Sequence, residues 1–134
     1  MSRSPRILIV DDMPAVRMIL RNMLETAGYS DLVEAEDGEQ AWELLRNSVD
    51  AAGIPAVRLI VSDWNMPGMT GIELLRAVRS DPALRHLPFL IITAEGDGSH
   101  LDEASAAGVT DYVVKPFGAD HLSEQVARAL AALG

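Results

Sequence analysis

Five residues of the chain share one property: each lies at the end of a short apolar run of the kind that forms a buried strand. They are Asp11, Asp12, Asp63, Thr93 and Lys115. For any one of them, a polar strand end that meets water is the simpler interpretation. Three carboxylates, a hydroxyl and an ammonium on one edge of a sheet are much harder to explain in that way, and the set indicates a chemical site.

The magnitudes favour a cation between the carboxylates. Adjacent strands lie about 4.8 Å apart, so Asp12 and Asp63 nearly touch if their strands are neighbours. Two carboxylates about 5 Å apart repel by roughly 3 kcal/mol at an effective dielectric of 20, and Lys115 alone cannot neutralise three acids. Ligands that are all oxygen point to Mg²⁺ or Mn²⁺ rather than zinc.

The remaining groups suit phosphoryl transfer. A metal ion and Lys115 would neutralise phosphoryl oxygens, the Thr93 hydroxyl could donate to one of them, and one aspartate would be free to act as a nucleophile. Residue types and spacing alone therefore predict a metal-dependent phosphate or carboxylate site.

Apolar runs alternate along the chain with patterns of helical period. Strands are expected over 6–10, 31–35, 57–62, 88–92 and 110–114, and helices over 16–27, 38–47, from a cap at Thr70, over 99–107 and in a last segment that buries Leu122, Val126, Leu130 and Leu133. Five such units with right-handed crossovers predict a doubly wound α/β domain, whose parallel sheet has helices on both faces. Ligands bind such sheets outside the carboxyl ends of the strands.

Outside these elements, the connection 47–56 is expected to be a solvated loop. Of the two tryptophans, Trp64 is expected at the surface or facing a target, and Trp42 is expected to pack on a helix.

Composition narrows the classes of protein. The 134 residues predict a single domain spanning 1–134, and the absence of cysteine excludes disulfides, zinc thiolates and a thiol nucleophile. A net charge of −9 without any basic run argues against nucleic-acid binding. The longest uncharged stretches reach only 9 residues, and the first residues lack a signal-peptide pattern. A cytoplasmic protein with no membrane partner and no output domain is expected.

Four motifs together resemble the receiver domains of bacterial two-component response regulators. They are Asp11-Asp12, the stretch SDWNMPGMTG at 62–71, Thr93-Ala94-Glu95, and YVVKPF at 112–117. The resemblance runs from about Arg6 to Leu133 and is strongest to the single-domain chemotaxis regulators of that family. It implies a flavodoxin-like sheet in the order 2-1-3-4-5, flanked by five helices.

The resemblance also implies a metal and a phosphorylation site. Asp63 corresponds to the aspartate that accepts a phosphoryl group from the phosphohistidine of a sensor histidine kinase or a histidine phosphotransfer protein. Asp12 and Asp63 correspond to side-chain ligands of Mg²⁺, the Asn65 carbonyl completes the protein ligands, and Asp11 contributes largely through water.

The switch residues are likewise implied by the resemblance. Lys115 pairs with the phosphoryl group and precedes a cis bond to Pro116. Thr93 and Tyr112 form the switch pair, which alters a target-binding face made of the fourth helix, the fifth strand and the fifth helix. A monomer or a phosphorylation-dependent dimer fits this output.

Two further sets of positions concern the lifetime and the target of the signal. Asn65 and Glu95 occupy positions that tune hydrolysis of the acyl phosphate in the family. Asp97 and Gly98 stand where chemotaxis regulators have lysines that open the fourth helix, and Gln125 replaces another lysine on the fifth helix. Because a flagellar target would contact that basic face, the sequence leaves open a flagellar or another output.

Three alternatives remain. A phosphorelay intermediate would pass its phosphoryl group on to a histidine phosphotransfer protein. A phosphatase of the haloacid dehalogenase type needs two aspartates separated by one residue after the first strand, whereas Asp11 and Asp12 are adjacent. An unphosphorylated pseudo-receiver scaffold is disfavoured because the acids, Thr93 and Lys115 are all present. The protein is not expected to be an enzyme beyond its own phosphorylation and dephosphorylation.

Overall fold

The computed structural model describes residues 4–94 and 98–131, over which strands and helices alternate. The elements are β1 (Arg6–Val10), α1 (Pro14–Thr26), β2 (Leu32–Ala35), α2 (Gly38–Asn47), β3 (Val57–Asp63), α3 (Gly71–Ser80), β4 (Phe89–Thr93), α4 (Gly98–Ala107), β5 (Asp111–Val114) and α5 (Ala119–Ala131). All strand pairs are parallel, in the order β2-β1-β3-β4-β5. The predicted doubly wound fold and its strand order are confirmed.

Both faces of the sheet are buried, because successive side chains of each strand point to opposite faces and both sets are apolar. Leu8 and Val10 of β1 join a core cluster with residues of α2 and α3. Ile7 and Ile9 join a second cluster with residues of α1 and α5. The buried polar residues of the described strands lie at the carboxyl ends of β3 and β4, so a polar site is expected at that edge of the sheet.

The helices begin where the sequence supplies caps. The Thr70 side chain accepts from the Glu73 N–H and the Glu73 side chain accepts from the Thr70 N–H, a capping box that confirms the predicted start of α3. Asp37 caps α2 by accepting from the Gln40 N–H. No helix in the described part of the chain is long and apolar enough to cross a membrane.

The connection between α2 and β3 is a surface turn, as expected, but it has internal order. Val49 and Pro55 form an isolated antiparallel bridge. The Asp50 carboxylate accepts from the N–H groups of Ala52 and Ile54 at 2.8 and 3.0 Å. Ile54 at its tip is 59% exposed.

The start of the segment leading into α4 is only partly described. Glu95 and Asp97 lie outside the described residues, and α4 begins at Gly98, one residue before the predicted start.

Candidate functional site

Hydrogen bonds carry the sheet one residue past β1 and β5 and so align their ends with those of their neighbours. The Asp11 N–H donates to the Ala35 carbonyl at 3.2 Å, and the Lys115 N–H donates to the Thr93 carbonyl at 2.8 Å. The register pairs Val10 with Ser62, so the residues that follow in β1 and β3 lie side by side. The expectation that these two strands are neighbours is confirmed.

Three carboxylates meet at this edge. Asp11, Asp12 and Asp63, named here the acid cluster, each present an oxygen within 4.8 Å of the other two. Asp11 is 1% exposed and Asp63 is 8% exposed, whereas Asp12 is exposed. Three negatively charged groups are therefore close together, and only Asp12 is well exposed to water.

Burial raises the pKa of both Asp11 and Asp63, because a low-dielectric environment disfavours the charged form. The charges of Asp63 and Asp12 raise the pKa of Asp11 further, and the charge of Asp12 raises that of Asp63. The Met13 N–H opposes this at Asp11, and Lys115 with the Trp64 N–H opposes it at Asp63. The acid cluster is thus incompletely neutralised by the protein.

Each buried carboxylate is held through one oxygen. Asp11 Oδ1 accepts from the Met13 N–H at 2.9 Å, while Asp11 Oδ2 is buried without a hydrogen-bond partner among the described residues. Asp63 Oδ1 accepts from the Trp64 N–H at 2.9 Å and from Lys115 Nζ at 3.3 Å. An unpartnered buried oxygen beside two more carboxylates fits a hard cation such as Mg²⁺.

A cation and a hydroxyl stand next to the acid cluster. Lys115 forms an ion pair with Asp63, and its side chain is 31% exposed. The peptide bond from Lys115 to Pro116 is cis, as the resemblance implies. Thr93 is 2% exposed at the end of β4, the strand that lies next to β3. The arrangement can accept an anionic phosphoryl group against a carboxylate oxygen.

The structure does not bring every predicted site residue to this place. Tyr112 is half-buried on β5, where it pairs with Ile91 and lines a surface groove with Phe117, His121 and Gln125. Glu95 lies outside the described residues.

The loop after β3 forms one wall of the site. Asn65 is exposed and lines a shallow groove of about 290 Å³ together with Asp12, Met66, Pro67 and Thr70. This groove opens the acid cluster to solvent on the side of the loop.

A glycine brings α3 close to the backbone of Asp63. The Gly71 N–H donates to the Trp64 carbonyl at 2.9 Å, and a Cβ on Gly71 would overlap the Asp63 carbonyl oxygen. Sequence analysis did not assign Gly71 a role beyond its motif. A glycine next to the Thr70 cap is the signal that points to such a close approach.

Two side chains in this loop are placed differently from the sequence expectation. Trp64 is 6% exposed and packs in the core cluster with Met66 and Ile72, so the expected surface position is wrong. The loop that follows β3 places its apolar side chains in the same core cluster as residues of α3. Trp42 is partly buried against the same cluster, as expected.

Comparison with known proteins identifies the family. A family model described as the response regulator receiver domain matches residues 7–127. The chemotaxis protein CheY of Pseudomonas aeruginosa is 47% identical over 121 residues, which are 90% of this chain and 92% of that protein. The chain therefore belongs to the response regulator receiver domain family. Within that family it is of the CheY type, whose members are signalling proteins rather than classical enzymes.

Solved structures agree with this assignment. Vibrio cholerae CheY4 superimposes with a TM-score of 0.83 at 32% identity, covering 96% of this chain and 100% of that one. The receiver domain of a sensor histidine kinase from P. aeruginosa, described with a magnesium ion coordinated in its active-site cleft, has a TM-score of 0.82 at 25% identity, covering 96% of this chain and 98% of that one. The likeness extends over nearly the whole domain.

Proposed function

We propose that the protein is a phospho-accepting response regulator of a two-component system. A sensor histidine kinase or a histidine phosphotransfer protein donates a phosphoryl group to Asp63, and the phosphorylated form binds a downstream protein. One observation carries this proposal: three carboxylates within 4.8 Å of one another, with Lys115 Nζ 3.3 Å from Asp63 Oδ1. The three carboxylates repel one another when no cation is bound. With a bound cation and Lys115, the same site carries positive charge that can balance a phosphoryl group.

The residues of the acid cluster would hold Mg²⁺, or Mn²⁺ in its place. Asp12 and Asp63 supply side-chain oxygens, the Asn65 carbonyl supplies a third ligand, and Asp11 acts largely through water. The unpartnered Asp11 Oδ2 supports this assignment. When bound, the ion supplies charge neutralisation for the phosphoryl oxygens.

The transfer forms one bond and breaks one. A carboxylate oxygen of Asp63 bonds to phosphorus while the bond from phosphorus to the donor histidine nitrogen breaks, and the imidazole leaves and takes up a proton. The Trp64 N–H and Lys115 Nζ both hold Oδ1, so Oδ2 is the oxygen placed to attack. The product is an acyl phosphate, with Lys115 paired to its phosphoryl oxygens.

Hydrolysis ends the signal. Water bonds to phosphorus as the bond between phosphorus and Asp63 breaks, which releases inorganic phosphate and restores the carboxylate. Asn65 and Glu95 tune the rate of this step. The exposed position of Asn65 beside the groove supports its access to the attacking water.

The output follows from added charge. Phosphorylation adds about −1.5 to −2 charges and new acceptor oxygens at the site. The Thr93 hydroxyl turns toward these oxygens, Tyr112 moves inward, and the face made of α4, β5 and α5 changes its affinity for the target or for a second copy. Thr93 and Tyr112 lie on adjacent, paired strands, which supports their coupling.

The test is incubation of the protein with acetyl phosphate and Mg²⁺, followed by intact-mass measurement. We expect a mass increase of one phosphoryl group, no increase when EDTA is added, and loss of the label with time. A protein that takes no label, or that takes it equally well in EDTA, would contradict the proposal.

A further inference from the structure

We propose that Arg17 is a positioning residue for the acid cluster, acting through the backbone of Asp11. Arg17 Nη1 donates to the Asp11 carbonyl oxygen at 2.6 Å, and Arg17 Nε donates to Glu34 Oε1 at 3.1 Å. The Arg17 side chain is only 15% exposed. This inference rests on the proposed metal site, and neither the motifs nor the family match assigns Arg17 a role.

The contact from Arg17 completes a set of restraints on Asp11. The Asp11 N–H donates to the Ala35 carbonyl, and Asp11 Oδ1 accepts from the Met13 N–H. Arg17 holds the remaining polar backbone atom of Asp11, its carbonyl oxygen. Only Oδ2 is left without a donor among the described residues, and it is the atom offered to a cation.

The carbonyl that Arg17 holds belongs to the peptide unit joining Asp11 to Asp12. Because this unit is planar, fixing its oxygen fixes the direction in which the chain enters Asp12. Arg17 therefore orients two of the three carboxylates without touching either one. Groups of this kind behind metal ligands typically change metal affinity by about 10- to 100-fold when they are removed.

Glu34 orients Arg17, and it provides a matched control. The same carboxylate accepts from Arg21 Nε at 2.8 Å through its other oxygen, and Arg21 Nη2 donates to the Leu32 carbonyl at 3.1 Å. Both arginines thus lie on α1, pair with Glu34 and hold one backbone carbonyl. Only Arg17 holds a carbonyl of the acid cluster.

Positioning and bare charge predict opposite results. The positive charge of Arg17 repels a cation, so its removal would tighten metal binding if charge were its only contribution. Loss of the restraint on Asp11 weakens binding instead. The sign of the change in affinity therefore separates the two roles.

The experiment measures Mn²⁺ affinity from the electron paramagnetic resonance signal of the free ion, with the full chain and its R17M, R17K and R21M variants. We expect at least about tenfold weaker binding in R17M and less than twofold change in R21M. R17K keeps the charge and one donor group, so its affinity is expected between those of R17M and the wild type. Thermal unfolding of R17M and R21M compares their stabilities.

The inference is overturned if R17M binds Mn²⁺ within twofold of the wild type or more tightly, or if R21M is weakened equally. If R17M does not fold, R17K decides, since it keeps the positive charge but lacks the guanidinium that bonds to Asp11 and Glu34 together. An affinity in R17K within twofold of the wild type would then overturn the inference, and weaker binding supports it.

Labelling with acetyl phosphate separates this inference from the proposed function. If the wild type is labelled and R17M binds Mn²⁺ with unchanged affinity, the role of Arg17 is overturned and the proposed function stands. A wild type that neither binds Mn²⁺ nor takes label overturns both.

Discussion

Two acidic sites at neighbouring strands of this protein differ in how well positive charges balance their carboxylates. Glu34 on β2 meets the guanidinium groups of Arg17 and Arg21, and hydrogen bonds from Arg21 above all lower its pKa. In the acid cluster three carboxylates meet one ammonium, and burial raises the pKa of Asp11 and Asp63.

Burial and counter-charge, rather than residue type, make this difference. The charge of Glu34 is balanced by two arginines of the same chain, so no bound cation is required there. The acid cluster combines buried like charges with an unpartnered oxygen, an arrangement that disfavours the folded state until a cation arrives. Groups with perturbed pKa values in such an arrangement mark functional sites more often than structural ones. The variants D63N, D12N, E34Q and R21M each change one of these two groups and leave the other intact.

The largest effect is expected from D63N. It removes the nucleophile, so labelling by acetyl phosphate is lost completely. It also removes a buried charge that desolvation and the neighbouring carboxylate disfavour, at the cost of the ion pair with Lys115, and the raised pKa of Asp63 indicates a net stabilisation of the metal-free protein at neutral pH. Intact mass and urea unfolding measure the two results.

E34Q is the control for this variant, and it is expected to keep the label and to lower stability. A D63N protein that retains label, or that is less stable than the wild type without metal, would contradict the view of the acid cluster as a repulsive phosphoacceptor site.

Magnesium should reverse the repulsion in the acid cluster. Mg²⁺ at ten times its dissociation constant stabilises a protein that binds it only when folded by about 1.4 kcal/mol. We expect this gain in the wild type and in R21M, and its loss in D12N, where an exposed carboxylate of the acid cluster is removed without disturbing the core. Urea unfolding with and without MgCl₂ measures it.

Sodium chloride at matched ionic strength controls for simple screening of the carboxylates. An equal gain from sodium chloride, or an undiminished gain in D12N, would show that the divalent ion is not bound by this cluster.

The pH dependence should run in opposite directions for the two groups. The lowered pKa of Glu34 gives stability that is present above its ordinary value of 4.5 and is lost as pH falls through the folded pKa. The difference between wild type and E34Q is therefore about 0.5–1 kcal/mol at neutral pH, because the pair is partly exposed, and it vanishes in acid.

For Asp63 the sign is reversed. Its raised pKa means that stability falls as pH rises from its ordinary value of 3.8 to the folded pKa. The advantage of D63N over the wild type is therefore absent below that window and constant above it. Urea unfolding of metal-free wild type, D63N and E34Q across this range measures both trends, and parallel curves for the two variants would contradict the comparison.

Much of the site could be predicted from the sequence because a parallel sheet collects the carboxyl ends of its strands at one edge. Asp11, Asp63 and Lys115 each follow an apolar run, so fold class alone was enough to bring them together. The Thr70 cap was readable for a similar local reason, since its partner Glu73 lies only three residues away.

Other features depend on contacts that leave no local pattern. Arg17 donates to the backbone carbonyl of Asp11. Because every residue has such a carbonyl, the sequence does not indicate which one Arg17 binds. Trp64 follows a charged residue and was therefore expected at the surface, yet the loop turns its ring into the core. The alternation of Trp64 and Met66 with the exposed Asn65 is the signal that predicts this burial.

The smallest expected effect uses the two tryptophans to locate the ion. The Trp64 N–H donates to the Asp63 carboxylate, so a cation at the acid cluster changes the field around a buried indole next to its ligand. Trp42 lies on α2 in a surface groove beside Glu39 and Glu43, carboxylates that belong to no such cluster. We expect a small change of fluorescence with Mg²⁺ in the wild type and in W42F, and none in W64F. Both indoles have acids nearby, so the opposite result is informative. A response that survives in W64F and disappears in W42F would mean that Mg²⁺ binds near the exposed carboxylates beside Trp42. The burial and close approach of the three carboxylates in the acid cluster would then not be what selects the ion.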